Sequence, residues 1–337
     1  MAGRKTENQN GLKYKIERKP QGNIEIPAVF AYDIVAASKK RLQSTKCKSA
    51  SLRNKGKQGN MTKRVLTMQD ISCIGKCSLT TALPVISAMG IEAVPLPTAV
   101  LSAHTMFHDV TFCDLTDQIE PIMKHWKKEE LCFAGIYTGY LGSFKQLQLA
   151  EKLFDTFDVS VRVVDPCMAD HGKLYTGFTM EFAHAMRNLC AKADYICPNM
   201  SEACLLLDIP YCSTYDEETV RQILRKLTDI GCSSALITGI SLQEGKTGAY
   251  AYDSKTKEYS CYQTDMEPQS FHGTGDIWAS VFTGCLVLGK SSDFAMKTAC
   301  EFVREAIHLT LAEENHNNYG TNFEQALPYL IRNIHTQ

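Results

Sequence analysis

The sequence lacks the features that mark several common classes of protein. Its 14 cysteines are scattered, contain no CxxC pair and are not accompanied by clustered histidines, which argues against a disulfide scaffold or a zinc site. No apolar run reaches the ~18 residues that a membrane-spanning helix needs. No segment repeats with a period of about 20 to 50 residues, which excludes solenoids and propellers. No GxGxxG motif follows the first predicted strand, so a dinucleotide-dependent dehydrogenase loses its main sequence support.

An excess of charge of either sign is also missing. The 337 residues include 36 basic and 37 acidic side chains, for a net charge of -1, and this balance gives no reason to expect nucleic acid or an anionic membrane as a partner. Scattered cysteines in a long chain are typical of buried thiols in a reducing compartment, so we expect a soluble, cytoplasmic protein. Because 44% of the residues are hydrophobic, the chain can bury one large core or two ordinary ones.

Residues 1–60 differ in character from the rest of the chain. They are rich in Lys, Arg, Gln, Asn, Ser and Gly and offer little apolar surface, which predicts disorder. A basic arm for nucleic acid or a targeting peptide is the alternative, but Glu7, Glu17 and Glu25 interrupt the basic pattern and no apolar h-region is present. We therefore interpret residues 1–60 as an extension without a role in the chemistry, and residues 61–337 as the folded domain.

From Met61 onward, apolar strands alternate with helices, which is the pattern of a mostly parallel sheet covered by helices on both faces. The sequence therefore predicts a doubly wound, three-layer α/β/α fold. The predicted strands cover residues 65–68, 92–100, 131–137, 161–164, 195–197 and 235–238, the second broken by Pro95 and Pro97, and an antiparallel pair covers residues 247–252 and 258–263. The predicted helices cover residues 78–89, 116–127, 143–157, 179–190, 201–207, 217–229, 275–289 and 293–313.

A late glycine turn, Gly273-Thr274-Gly275-Asp276, opens a long apolar helix. Glycine permits a tight turn with bare N–H groups at a helix N-terminus, which is a site for an anion. Asp276 has two interpretations at this position. It could complement the helix dipole, or it could take a proton from an alcohol while the turn holds a transferring phosphoryl group.

Polar residues also follow several of the predicted strands, where ligands bind in open α/β sheets. Asp165 and Asp170 stand five residues apart after one strand, and this pair fits either an ordinary loop or a magnesium site on a nucleotide. Asn199 and Glu202 begin a predicted helix at a spacing that fits either an N-terminal cap pair or a joint contribution to a site. Thr238 ends a further strand.

The segment Gly75-Lys76-Cys77-Ser78 superficially suggests a phosphate-binding loop. The earlier glycine of that motif is missing, and Cys77 stands where Ser or Thr would bind magnesium. We therefore do not assign a phosphate-loop nucleotide site to this segment.

From Met61 to the C-terminus, roughly four-fifths of the chain, the sequence resembles the pyridoxal (vitamin B6) kinases of the ribokinase-like superfamily. The resemblance rests on motifs that occur in the order of that family. They are Thr138-Gly139-Tyr140-Leu141-Gly142-Ser143, Asp165-Pro166 with Asp170 and Gly172-Lys173-Leu174-Tyr175, Pro198-Asn199 with Glu202, and the late glycine turn. The resemblance implies the ribokinase-like fold, a homodimer, and phosphorylation of the 5′-hydroxymethyl group of pyridoxal, pyridoxine or pyridoxamine by ATP with Mg²⁺. It leaves dependence on a monovalent cation open.

The resemblance also implies a role for each matching residue. Asp276 would be the base, with Gly273, Thr274 and Gly275 as the anion hole. ATP would be contacted by the turn and by Asp165, Asn199, Glu202 and Thr238, and Mg²⁺ would be held, partly through water, by Asp165, Asp170 and Glu202. The vitamin pocket would be lined by Asp70, Thr105 and Tyr140. Many pyridoxal kinases have Ser where Asp70 stands, and a carboxylate there could pair with a protonated ring nitrogen or with the amine of pyridoxamine.

Two other functions remain as alternatives. A hydroxymethylpyrimidine kinase of the same superfamily shares the last motif and the reaction but requires a different pocket around the first strand. A non-catalytic, B6-binding regulatory protein could use the same fold, although such a protein has no need for a base at the anion hole.

Overall fold

The computed structural model describes residues 63–334. The predictions for residues 1–60, which are disorder and the lack of a role in the chemistry, lie outside the described residues. None of the helices within residues 63–334 is long and apolar enough to cross a membrane.

One large sheet forms the middle layer of the described region. Its nine strands lie in the order β11-β10-β9-β8-β5-β4-β1-β2-β3, and the five ladders that join β9, β8, β5, β4, β1 and β2 are all parallel. Antiparallel strands stand at both edges. The strands are β1 (Arg64–Ser72), β2 (Glu92–Leu101), β3 (Phe112–Asp114), β4 (Gly135–Thr138), β5 (Val161–Val164), β8 (Tyr195–Ile196), β9 (Ser234–Ile240), β10 (Lys246–Asp253) and β11 (Tyr259–Asp265), and a separate hairpin consists of β6 (Ala169–Asp170) and β7 (Lys173–Leu174).

Helices cover both faces of this sheet. On one face lie α2 (Thr116–Lys128), α3 (Phe144–Thr156), α4 (Met180–Cys190), α5 (Met200–Leu207) and α6 (Glu217–Thr228). On the other lie α1 (Ser78–Ala88), α7 (Thr274–Leu288), α8 (Ser292–Leu311) and α9 (Phe323–Asn333). Each face has its own apolar cluster, because strands in a parallel sheet are hydrophobic on both sides. The predicted three-layer α/β/α fold is confirmed.

Three details differ from the prediction. β2 is not broken by Pro95 and Pro97, which pair with Thr67 and Gln69 of β1. On its other side β2 pairs with β3 only from Ala99 to Leu101, so the prolines lie in an edge segment where a missing N–H group costs no ladder bond. The strand predicted over residues 131–137 covers only Gly135–Thr138. The hairpin β6–β7, the short strand β3 and the last helix, α9, were not predicted.

Candidate active site

The late glycine turn has the backbone that its sequence predicts. Gly273 is the N-cap of α7 and has a φ of +78°, a conformation that favours glycine. A Cβ at Gly273 would overlap the backbone carbonyl oxygen of Lys76. The Ile277 N–H donates to the Gly273 carbonyl at 3.0 Å, so the N–H groups of Thr274, Gly275 and Asp276 are left for an anion.

Asp276 is in the first turn of α7, which is buried from Ile277 to Val287. Burial raises the pKa of the Asp276 carboxyl to about 7, the nearby Asp70 adds to the rise, and a hydrogen bond from the Ser78 backbone N–H opposes it. A carboxyl group that titrates near neutrality can both accept and release a proton. Asp276 therefore has the properties of a general base beside an anion site.

Asp70 is inside β1, where the register with β2 shifts between Gln69 and Ile71. The residue is 4% exposed, and its carboxylate accepts a hydrogen bond from Ser72 Oγ at 2.9 Å. Burial raises its pKa, and hydrogen bonds from Ser78 and Ser72 oppose this rise. Within residues 63–334, no Lys, Arg or His forms an ion pair with this carboxylate.

Two further predicted pocket residues lie on loops at the same edge of the sheet. Burial, with a smaller effect of the charge on Asp70, raises the pKa of the Tyr140 hydroxyl to about 12, and the Tyr140 ring lies 5.5 Å from that of Phe178. Thr105 is exposed and follows His104, whose ring centroid lies 4.9 Å from that of His272 in the segment before the glycine turn. Both positions therefore border the region of Asp70 and Asp276.

Asp165 follows β5 directly and is 8% exposed. Its pKa is raised well above the usual range by burial and by the neighbouring carboxylates Glu202 and Asp276. An oxygen of this carboxylate lies 4.0 Å from the position of a Cβ on Gly275. No group within residues 63–334 donates a hydrogen bond to it, so the carboxylate is free to bind a cation.

The described residues include no group of three or more His, Cys, Asp or Glu side chains that could hold a metal ion by themselves. Magnesium on a nucleotide usually takes one or two carboxylates, with water and phosphate oxygens as the other ligands. The hydrogen-bond-free Asp165 carboxylate beside an anion site fits that pattern.

Asn199 and Glu202 form a complete capping box at the start of α5. The Asn199 side chain accepts from the Glu202 N–H at 3.0 Å, and Glu202 Oε2 accepts from the Asn199 N–H at 2.9 Å. Glu202 Oε1 also accepts from the Met168 N–H at 3.0 Å, which fixes the loop after Asp165. Burial raises the pKa of Glu202 to about 8, and these backbone donors oppose the rise. The cap-pair interpretation is confirmed, and any contact of Glu202 with a metal remains a prediction.

The remaining predicted residues lie near this box. The Thr238 N–H donates to the Pro198 carbonyl at 2.9 Å, so β9 adjoins Asn199 at this point. Thr238 does not end its strand as predicted, because β9 continues to Ile240. Asp170 is exposed in β6, and its Oδ1 accepts from the His171 N–H at 2.8 Å. The structure thus brings the predicted residues to one edge of the sheet, with Asp170 at the periphery.

Sequence reasoning missed some of the residues that shape the site. Ser72 and Ser78 donate hydrogen bonds around Asp70, and Ser78 also supplies the amide to Asp276. Tyr137 is fully buried, and its hydroxyl has no partner within residues 63–334. The only signal for Ser78 was its place in the segment first compared with a phosphate loop.

The fold and the site define a small-molecule kinase of the ribokinase-like superfamily. The sequence model of the phosphomethylpyrimidine kinase family matches residues 79–322, and the chain belongs to this family. The resemblance to pyridoxal kinases is thereby confirmed.

Solved structures show the same relationship. A candidate phosphomethylpyrimidine kinase from Bacteroides thetaiotaomicron is 39% identical, with a TM-score of 0.78 over 82% of this chain and 96% of that chain. A second crystal form of that protein was solved with pyridoxal and has a TM-score of 0.76. The pyridoxal kinase from Lactobacillus plantarum is 30% identical, with a TM-score of 0.75 over 80% of this chain and 97% of that chain.

One curated relative is an enzyme of thiamine biosynthesis. The thiamine biosynthetic bifunctional enzyme TH1 of Arabidopsis thaliana is 25% identical over 249 residues, which are 72% of this chain and 46% of that enzyme. The chain thus spans about half the length of this relative. Relatives named as pyridoxal kinases and relatives named as hydroxymethylpyrimidine/phosphomethylpyrimidine kinases therefore both resemble this chain.

Proposed function

We propose that this protein transfers the terminal phosphoryl group of ATP to the 5′-hydroxymethyl group of pyridoxal, pyridoxine or pyridoxamine. Asp276 accepts the proton of the alcohol, the alcohol oxygen forms a bond to the γ-phosphorus, and the bond from that phosphorus to the β–γ bridging oxygen breaks to release ADP. The N–H groups of the glycine turn stabilise the charge on the transferring group.

The other residues bind and orient the two substrates. Asp165 would hold Mg²⁺, which neutralises phosphate charge when bound, and Thr238 with Asn199 and Glu202 would border the nucleotide. Asp70, Thr105 and Tyr140 would line the vitamin pocket. Because phosphoryl transfer depends mainly on positioning and charge stabilisation, the site needs no covalent nucleophile.

The observation that carries this proposal is the position of Asp276, whose pKa is raised to about 7 at the open N-terminus of α7. A base with this pKa can remove a proton from an alcohol at physiological pH. The choice of a B6 vitamer is supported by the 39% identity to the Bacteroides thetaiotaomicron protein, which was solved with pyridoxal.

Hydroxymethylpyrimidine is the second candidate acceptor, because the matching family is described as phosphomethylpyrimidine kinase and one relative is named hydroxymethylpyrimidine/phosphomethylpyrimidine kinase. A coupled assay of ATP consumption on pyridoxal, pyridoxine, pyridoxamine and hydroxymethylpyrimidine separates the two. We expect the vitamers to have the higher kcat/KM, and a preference for the pyrimidine would contradict the proposal. Ligand binding without ATP consumption on any of the four would instead indicate a regulatory, B6-binding protein.

A further inference from the structure

Lys76 belongs to the segment that superficially suggests a phosphate loop, but its side chain points elsewhere. The ammonium group donates to Asn322 Oδ1 at 3.0 Å and to Glu324 Oε2 at 2.9 Å. It also lies 5.9 Å from the centre of the Phe323 ring. The side chain is only 20% exposed, so Lys76 is committed to the start of α9 and not to a nucleotide.

Asn322, which accepts a hydrogen bond from Lys76, is itself held in place by further hydrogen bonds. The Asn322 N–H donates to Thr310 Oγ1 at 2.7 Å, and Asn322 Nδ2 donates to Glu313 Oε2 at 2.8 Å. Asn322 is 7% exposed. Three different groups of Asn322 are therefore occupied, and Lys76 is bound to a rigid part of the C-terminal segment.

The backbone around Lys76 adopts conformations that require external support. Lys76 and Ser78 have φ values of +49° and +50°, and Gly75 has +145°. Non-glycine residues occupy the left-handed region only where surrounding contacts hold them there. The partly buried contact of the Lys76 side chain with Asn322 and Glu324 is such a support.

The same backbone touches the glycine turn. The Lys76 carbonyl oxygen lies against Gly273, close enough that a Cβ on Gly273 would overlap it. Two residues later, Ser78 begins α1 and directs its N–H at Asp276. A displacement of the Lys76 backbone therefore moves one wall of the anion site and the amide beside the base.

We propose that Lys76 is a positioning residue, which ties the C-terminal segment at Asn322 and Glu324 to the turn Gly273–Asp276 and holds that turn in its reactive shape. The proposal rests on the function proposed above, because it assigns the turn to phosphoryl transfer. It gives Asn322 and Glu324 an effect on phosphoryl transfer that acts through Lys76.

Lys76→Met keeps the length of the side chain and removes its charge and its hydrogen bonds. We expect the Ile277 amide, which bonds to the Gly273 carbonyl, to exchange with solvent deuterium at least about tenfold faster in this variant. We expect kcat to fall by about tenfold or more with a smaller change in KM, because the turn acts mainly on the transition state. Lys76→Arg can donate to both acceptors and should recover most of the amide protection.

Lys192→Met is the matched control. Lys192 also contacts two carboxylates, Asp155 at 2.7 Å and Glu151 at 3.8 Å. It lies before β8, at the amino ends of the parallel strands, whereas the candidate site lies at their carboxyl ends. This variant should leave the Ile277 amide and kcat as in the wild type.

Unchanged exchange at Ile277 in folded Lys76→Met protein would overturn the proposal, as would equal acceleration in Lys192→Met. Should Lys76→Met not fold, Glu324→Gln is tested in its place. We expect a smaller increase in exchange at Ile277 in this variant, and unchanged exchange would contradict the proposal. Exchange is measured without substrate. A failure of the wild type to phosphorylate any vitamer would therefore contradict the proposed function while the exchange result still decides the role of Lys76.

Discussion

An oxygen of the Asp165 carboxylate lies 4.0 Å from the point that a Cβ on Gly275 would occupy. The end of β5 therefore lies next to the first turn of α7, although 110 residues separate Asp165 from Gly275 in the sequence. A phosphate bound by the N–H groups of the turn would lie beside the carboxylate that we propose as a magnesium ligand. The two glycines of the turn therefore have different roles, which substitution can separate.

We expect Gly275→Ala to fold as stably as the wild type and Gly273→Ala to be destabilised. At Gly275 the backbone is helical and the nearest atom stands 4.0 Å away, so the added methyl group disturbs phosphate access and not the fold. At Gly273 the φ of +78° and the Lys76 carbonyl both oppose a side chain, at a cost of about 1–3 kcal/mol. Thermal unfolding measures the stabilities, and nucleotide titration should show weaker binding by Gly275→Ala. Equal stability of the two variants would contradict this assignment.

The glycine turn and the capping box could be predicted because both depend on residue types at short spacings. Gly273 and Gly275 permit the turn locally, and Asn199 with Glu202 form the reciprocal cap that their spacing suggests. The alternation of apolar strands and helices likewise predicted the layers of the fold.

The contacts of Lys76 and Ser78 could not be predicted in the same way. Their positive φ values are held by tertiary contacts and have no counterpart in residue type. Helix α9 was not predicted, and it is stabilised by burial of Phe323, Ala326 and Leu330 in the core, which depends on tertiary contacts.

Asp276→Asn should remove nearly all turnover. The amide retains the size and the hydrogen bond from Ser78 but cannot accept the proton of an alcohol, and loss of a general base typically costs about 10²–10⁴ in rate. Binding of nucleotide and vitamer should persist, because the N–H groups of the turn are unchanged. Calorimetric titration and the coupled assay on one protein preparation test both parts, and turnover near that of the wild type would count decisively against Asp276 as the base.

The pH dependence of the wild type should reflect the same carboxyl group. The base acts in its deprotonated form, so kcat/KM should fall as the pH drops below about 7. The free energy of unfolding should depend on pH in the opposite direction.

A carboxyl group whose folded pKa exceeds its unfolded pKa contributes stability below the unfolded pKa, and this stability is lost as the pH rises through about 7. Asp276→Asn should therefore gain in melting temperature relative to the wild type between pH 5 and pH 8. A constant difference across this range would contradict the raised pKa.

Asp70 should determine the choice among vitamers. The residue is 4% exposed, and its carboxylate has no cationic partner within residues 63–334, so a substrate that brings a positive charge gains the most from it. Ser78 contacts both Asp70 and Asp276, which sets the two carboxylates close together. The 4′ and 5′ substituents of a B6 vitamer stand on adjacent ring carbons, so a 4′-aminomethyl group would face Asp70 when the 5′-hydroxyl faces Asp276.

Pyridoxamine and pyridoxine test this relationship because they differ only in a charged amine against a neutral hydroxyl at the 4′ position. We expect Asp70→Ser to lower the ratio of kcat/KM for pyridoxamine to that for pyridoxine by about tenfold to a hundredfold, the usual range for a hydrogen bond to a charged group. Ser72→Ala removes one hydrogen bond and keeps the carboxylate, so it should leave most of the preference. An equal loss on both vitamers in Asp70→Ser would mean that the carboxylate supports the fold of the pocket and does not select the amine.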